Sequence, residues 1–211
     1  MADETQRFRP ERFTAFVDAV VAIAMTLLIL PLTEAVADAA SGRLSTAQFF
    51  AEHSGQLLSF ALSFLLIATF WIGHHSQYRS VEWMTGPLLW INVAWMATIV
   101  WLPVPTAMIG QMKTDTLQTV VYIGSLILTQ VTTLAAWLYL QRHPDLTSSS
   151  PATLRAGVIG DLAAIILFAV ALTIAVLLPD HSYAGLFVLL LTGPVTRVLA
   201  RVARRRGAAR G

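Results

Sequence analysis

The sequence predicts an all-α integral membrane protein with six transmembrane helices in a single domain. Three observations carry that expectation: a charge-poor composition, six apolar segments of span length, and basic residues that sort to one side. The 211 residues are 56% hydrophobic and 12% charged, with a mean hydropathy of +0.66. A soluble domain carries about 25% charge, so these charges are too few to cover a water-facing surface. There is no cysteine, which excludes disulfides, thiol nucleophiles and cysteine metal sites.

The apolar segments run over 13–32, 54–72, 84–103, 117–140, 156–178 and 182–199. At the rise of an α-helix each is about 25–36 Å long, enough to cross a hydrocarbon core of about 30 Å. Membrane strands are shorter and alternate in polarity, so a β-barrel does not fit. With the N-terminus cytoplasmic, Arg7, Arg9, Arg12, Arg79, Arg142, Arg155, Arg197, Arg201, Arg204, Arg205, Arg206 and Arg210 lie inside, and only Arg43 and Lys113 lie outside. That bias orients a multi-pass protein of the cell membrane with both termini cytoplasmic. The basic tail 200–211 reads as an anchor for lipid headgroups rather than a nucleic-acid arm. A cleaved signal peptide ending at Ala35-Val36-Ala37 is the rival for the first span. Its apolar run is too long, Asp18 interrupts it, and cleavage would leave five spans.

The first span, RFTAFVDAVVAIAMTLLILPL, carries the most information. At 100° per residue, Phe16, Ile23, Thr26, Leu27 and Leu30 share one face, while Ala15, Asp18, Ala22 and Met25 share another. Two readings fit the first face. One is an Ile/Leu stripe in the core of a central helix. The other is a pore wall, with a hydrophobic constriction and Thr26 hydroxyls offered to an ion. Asp18 lies about 140° from Ile23 and needs a partner, because a carboxylate in a span must pair or protonate. The candidates are Trp71, His74 and His75 at the end of the second span and Asn92 in the third, which predict one hydrogen-bonded Asp–His–Asn–Trp cluster.

Arg12-x-x-x-Phe16-x-Asp18 followed by AVVAIAMTLLIL resembles the first-helix signature RxxxFSD of the transmembrane protein 175 family of endosomal and lysosomal potassium channels and their bacterial relatives. SFLLIATFWIGHH (63–75), Asn92 in LLWIN, and Leu102-Pro103-x-Pro105-Thr106 follow in the family's order. The resemblance implies a cation channel without a TVGYG-type filter, assembled as a homotetramer with the first helix of each subunit lining the pore. It implies a constriction at Ile23, continued by Leu27 and Leu30, and potassium preference at Thr26. It also implies structural roles for Arg12, Phe16 and Asp18, within a polar network that includes Trp71, His74, His75 and Asn92. The family's serine is Val17 here, so one hydroxyl of that network is missing.

Other sites read as structural. Adjacent His74 and His75 point about 100° apart and have no third ligand at metal spacing, so no metal and no cofactor are expected beyond permeant potassium. His53, His143 and His181 lie near loops and are expected to be solvated. Asp161 is placed near the start of the fifth helix, at headgroup level. Trp90 and Trp95 are expected to pack between helices. Ser59, Ser63 and His74 fail the geometry of a hydrolase, since serine and histidine lie turns apart on one helix. The reading is therefore a moderately selective potassium channel and not an enzyme. Its partners are sister subunits, potassium ions and lipid, without nucleic acid. The alternative is a proton-coupled transporter of a small solute with Asp18 and His74 as the proton site, and a non-conducting scaffold is a third possibility.

Overall fold

The computed structural model describes residues 9–113 and 115–177. The expected sixth span, 182–199, His181 and the basic tail lie outside the described residues. The described chain is helical: α1 (Glu11–Leu27), α2 (Leu30–Ser41), α3 (Thr46–Glu52), α4 (Ser54–Tyr78), α5 (Gly86–Trp101), α6 (Pro103–Gln111), α7 (Thr116–Arg142), a 3-10 turn (Pro144–Leu146) and α8 (Pro151–Leu177). Five segments are long and apolar enough to cross a membrane: Glu11–Ser41, Ser54–Tyr78, Gly86–Gln111, Thr116–Arg142 and Pro151–Leu177.

Each span is longer than its apolar run. The first does not stop near residue 32 but continues to Ser41, because TEAVADAAS is polar yet alanine-rich and favours helix. α1 and α2 meet at a tightened turn, in which Ile29 N–H donates to the Thr26 carbonyl at 3.3 Å. Pro31 sits in the first turn of α2, where a missing N–H costs nothing. Pro103 makes the same kind of joint between α5 and α6. α2 ends with Leu44 N–H donating to the Ala39 carbonyl at 3.0 Å and Arg43 N–H to that of Ala40 at 3.2 Å. This is a Schellman closure with arginine at φ 57° where glycine is usual. Ser45 and Gln48 form a capping box on α3. Asp115 accepts from Gln118 N–H at 2.7 Å to cap α7.

The main core joins α1, α4, α5, α7 and α8 around Val21, Ile67, Trp95, Ile123 and Phe168. A second cluster, around Tyr78, Met84, Leu88, Leu140 and Leu154, closes one end of the bundle. There the α4–α5 and α7–α8 connections meet, with an isolated antiparallel bridge between Val81 and Thr147 and Ser148 N–H donating to the Ser80 carbonyl at 2.9 Å. The Arg9 guanidinium lies 5.9 Å from the centre of the Trp83 ring at this end. The start of α1 and the two connections bearing Arg79 and Arg142 thus share one end of the bundle, as the charge sorting requires.

Tight contacts also hold the other end. The Gln56 amide donates to the Pro31 carbonyl at 2.9 Å, tying α4 to the α1–α2 joint. A Cβ on Gly110 would stand 2.8 Å from Ser59 Oγ and 3.1 Å from Gln56 Cγ, so only glycine lets α6 approach α4 this closely.

Candidate functional site

The first span presents two unlike faces along α1 and its joint with α2. Val17, Val21, Ala24 and Leu28 recur at three- and four-residue spacing, and all are buried against the bundle. Phe16, Ile23, Leu27 and Leu30 are exposed, with Ile23 at 60%. The Ile/Leu stripe is therefore not the packed core of this helix within one chain, and the core-stripe reading is corrected. The core stripe is the one with the smaller side chains, which let α1 approach α4 and α5. Val17, at the family's serine position, lies in that packed stripe with no exposed surface, so valine there adds apolar contact.

Thr26 is on the exposed side. Its hydroxyl donates to the Ile23 carbonyl at 2.7 Å. That bond fixes the rotamer, while the oxygen keeps its lone pairs.

The expected four-member cluster resolves into two hydrogen-bonded groups. Asp18, half-buried, accepts from the Trp71 indole at 2.8 Å. His74 is buried, and its ring stacks between Tyr78 at 4.4 Å and Trp95 at 4.2 Å. His74 Nε2 lies 2.7 Å from Asn92 Oδ1. The Asn92 amide donates to the Leu88 carbonyl at 2.9 Å and to the Tyr78 hydroxyl. With both amide hydrogens used, Asn92 Oδ1 is the acceptor, and the His74 proton sits on Nε2. Asp18–Trp71 thus joins α1 to α4, and His74–Asn92 joins α4 to α5. Arg12, Phe16 and His75 are exposed and stand outside these bonds. The His75 ring meets that of Trp71 at 6.1 Å in a tilted contact.

Tyr78 and Trp95 belong to this network but were not singled out for it. Their spacing offered a signal, since Tyr78 is four residues after His74 and Trp95 three after Asn92, each on the same helical face. A second buried network lies nearer the other end, where the Ser63 hydroxyl meets the Tyr122 hydroxyl at 2.9 Å and accepts from Thr106 at 2.8 Å.

Four other expectations change. Trp90 is 70% exposed and faces outward, whereas Trp95 is buried. His53 stacks on Phe49 at 4.5 Å and His143 on Tyr139 at 4.2 Å, so both are half-buried rather than solvated. Asp161 is not at the start of its helix, because α8 begins at Pro151. Among the described residues no group of three or more His, Cys, Asp or Glu is placed to hold a metal ion.

Residues 12–103 match the family model of the endosomal/lysosomal potassium channel TMEM175. Over 102 residues the chain is 32% identical to a protein of Streptomyces collinus named as a potassium channel, covering 47% of each. Over 99 residues it is 26% identical to one of a Chryseobacterium species, also named as a potassium channel, covering 47% of this chain and 48% of that one. The chain spans about half the length of the curated relatives it matches. The matched stretch covers the first three spans, with the faces of α1 and both hydrogen-bonded groups, and it matches ion channels rather than enzymes.

Proposed function

We propose that the chain is a subunit of a moderately selective potassium channel of the cell membrane. In this reading it is a single six-helix domain with cytoplasmic termini, assembled as a homotetramer in which α1 lines the pore. The observation that carries the reading is the exposed stripe of α1 opposite its packed one, in the stretch that matches the channel family. Four copies of Ile23, Leu27 and Leu30 around an axis make an apolar constriction, which conducts when it widens enough to wet. Thr26, just beyond Ile23, offers four hydroxyl oxygens that replace part of an ion's hydration shell. The backbone carbonyls here are used within α1 and in its tightened joint with α2, so the side-chain oxygens supply the selectivity. Asp18 acts as a staple between α1 and α4, and ions do not touch it. His74 and Asn92 fix α4 on α5.

A proton-coupled transporter using Asp18 and His74 as one proton site is less well supported, since the two side chains take separate partners. Potassium and sodium flux in liposomes holding the purified chain separates the readings. With no proton or solute gradient, potassium-preferring flux driven by the ion's own gradient is the expected result. Silence for both ions, followed by flux when a proton gradient is imposed, refutes the channel.

A further inference from the structure

Asp161 is the eleventh residue of α8 (Pro151–Leu177). It therefore lies about 15 Å from the start of the helix and about 24 Å from its end, well inside a candidate span. The dipole of a helix N-terminus acts over roughly the first turn and does not reach it. α7 and α8 make the most extensive contact of any helix pair among the described residues. The seam is close because α8 presents Ala156, Gly160 and Ala164, all buried, to its neighbour. A Cβ on Gly157 would overlap the Trp137 ring. Gly157 is one turn before Asp161 on the same side, so the indole covers the approach from the near end of the helix.

In this seam, among the described residues, the carboxyl has a single hydrogen bond, from the Gln130 amide to Oδ1 at 3.3 Å. Its Oδ2 is buried and has no partner among the described residues. An ionised carboxylate wants several donors, and one long amide bond leaves most of its charge uncompensated. No positive charge makes up the deficit among the described residues. Arg155 on α8 is six residues earlier and exposed, and Arg142 closes the far end of α7. On α7 the Tyr122 hydroxyl is engaged with Ser63. Tyr139 is engaged with Thr85. On α4, His74 and Tyr78 are bonded to Asn92, and His75 lies beside Trp71.

We propose that Asp161 and Gln130 form a proton-binding site inside the fifth span, where the carboxyl keeps a proton on Oδ2 at neutral pH and releases it only when the α7–α8 seam opens to water. The ligand is a proton because one atom suffices to neutralise Oδ2. The site is independent of whether the chain conducts ions.

The test uses the full chain in liposomes with 13Cγ-labelled aspartate, read by solid-state NMR. The chain has seven aspartates. At pH 7, in choline chloride, one is expected to give the signal of a protonated acid. That signal should vanish in Asp161→Asn and, if that variant folds poorly, in Asp161→Glu, which keeps a carboxyl but carries no label. Ionised signals for all seven, or an acid signal that persists in both variants, would overturn the proposal. So would loss of the acid signal when sodium or potassium chloride replaces choline chloride, which would make the site a cation site.

Discussion

The two faces of the first span, along α1 and its joint with α2, differ in size as well as in exposure. The buried face is Val17, Val21, Ala24 and Leu28, and the exposed face is Phe16, Ile23, Leu27 and Leu30. Hydrophobicity alone would bury the larger side chains, since burial gain scales with apolar area. The chain instead buries the smaller set, which draws α1 close to α4 and α5, and leaves the larger set outward. In a bilayer, lipid is as apolar as leucine, so helices associate by close packing and hydrogen bonds. Asp18–Trp71 adds such a bond beside the packed face. In the proposed channel the exposed face would meet other copies of the chain, where Ile23, Leu27 and Leu30 would form a symmetric constriction.

The sharpest way to break this comparison is to charge the packed face. Val21→Asp puts a carboxylate without a donor into the core, at a cost of about 3 kcal/mol. Monodisperse protein on size exclusion should largely disappear. Next comes the staple. Asp18→Ala leaves the Trp71 indole without its acceptor, and for a pair this exposed the cost is about 0.5–1.5 kcal/mol. Tetramer yield in detergent should drop, and a fully assembled, equally stable Asp18→Ala protein would remove the staple role. On the exposed face Ile23→Asn should change stability by no more than about 0.5 kcal/mol if that face meets water. It should raise ion flux several-fold and weaken potassium preference, because an amide wets the constriction. Unchanged flux at equal protein density would place the gate elsewhere. The smallest effect lies outside both faces: Arg43→Gly relieves the left-handed residue that closes α2 and should stabilise the chain by at most about 1 kcal/mol in thermal unfolding.

Much of the all-α, multi-span fold was legible, because a run of apolar residues of span length has few other uses. The ends of the helices were not. Hydropathy marks where a helix leaves lipid, and α2 to Ser41 and α4 to Tyr78 continue as helix in polar sequence, while α6 carries the helix past Pro103 to Gln111. The same blindness misplaced Asp161. Counting from the apolar Ala156 put it near the start, whereas Pro151, suited to the first turn, marks the true start. The serine before it caps α8, accepting from Thr153 N–H at 3.2 Å. The need of Asp18 for a partner was legible from the cost of its charge, and Trp71 was among the partners named. That His74 would bond Asn92 and not Asp18 was not, since both pairings satisfy the same spacing and only the crossing of α4 and α5 decides between them. Trp90 and Trp95 read alike in sequence, and the helix rotation that buries one and exposes the other has no local signal.

Because the chain has no cysteine, single cysteines placed on the first span can be read without background. The most direct test compares Leu30→Cys on the exposed face with Val21→Cys on the packed face, using a charged, membrane-impermeant thiol reagent on potassium-conducting liposomes. A thiol reacts as thiolate, which needs water. The account predicts that Leu30→Cys is modified and that flux falls as it reacts, while Val21→Cys is untouched and keeps its flux. An inert Leu30→Cys in a conducting protein would mean that this face meets lipid or a dry interface, and that the first span does not line the pore.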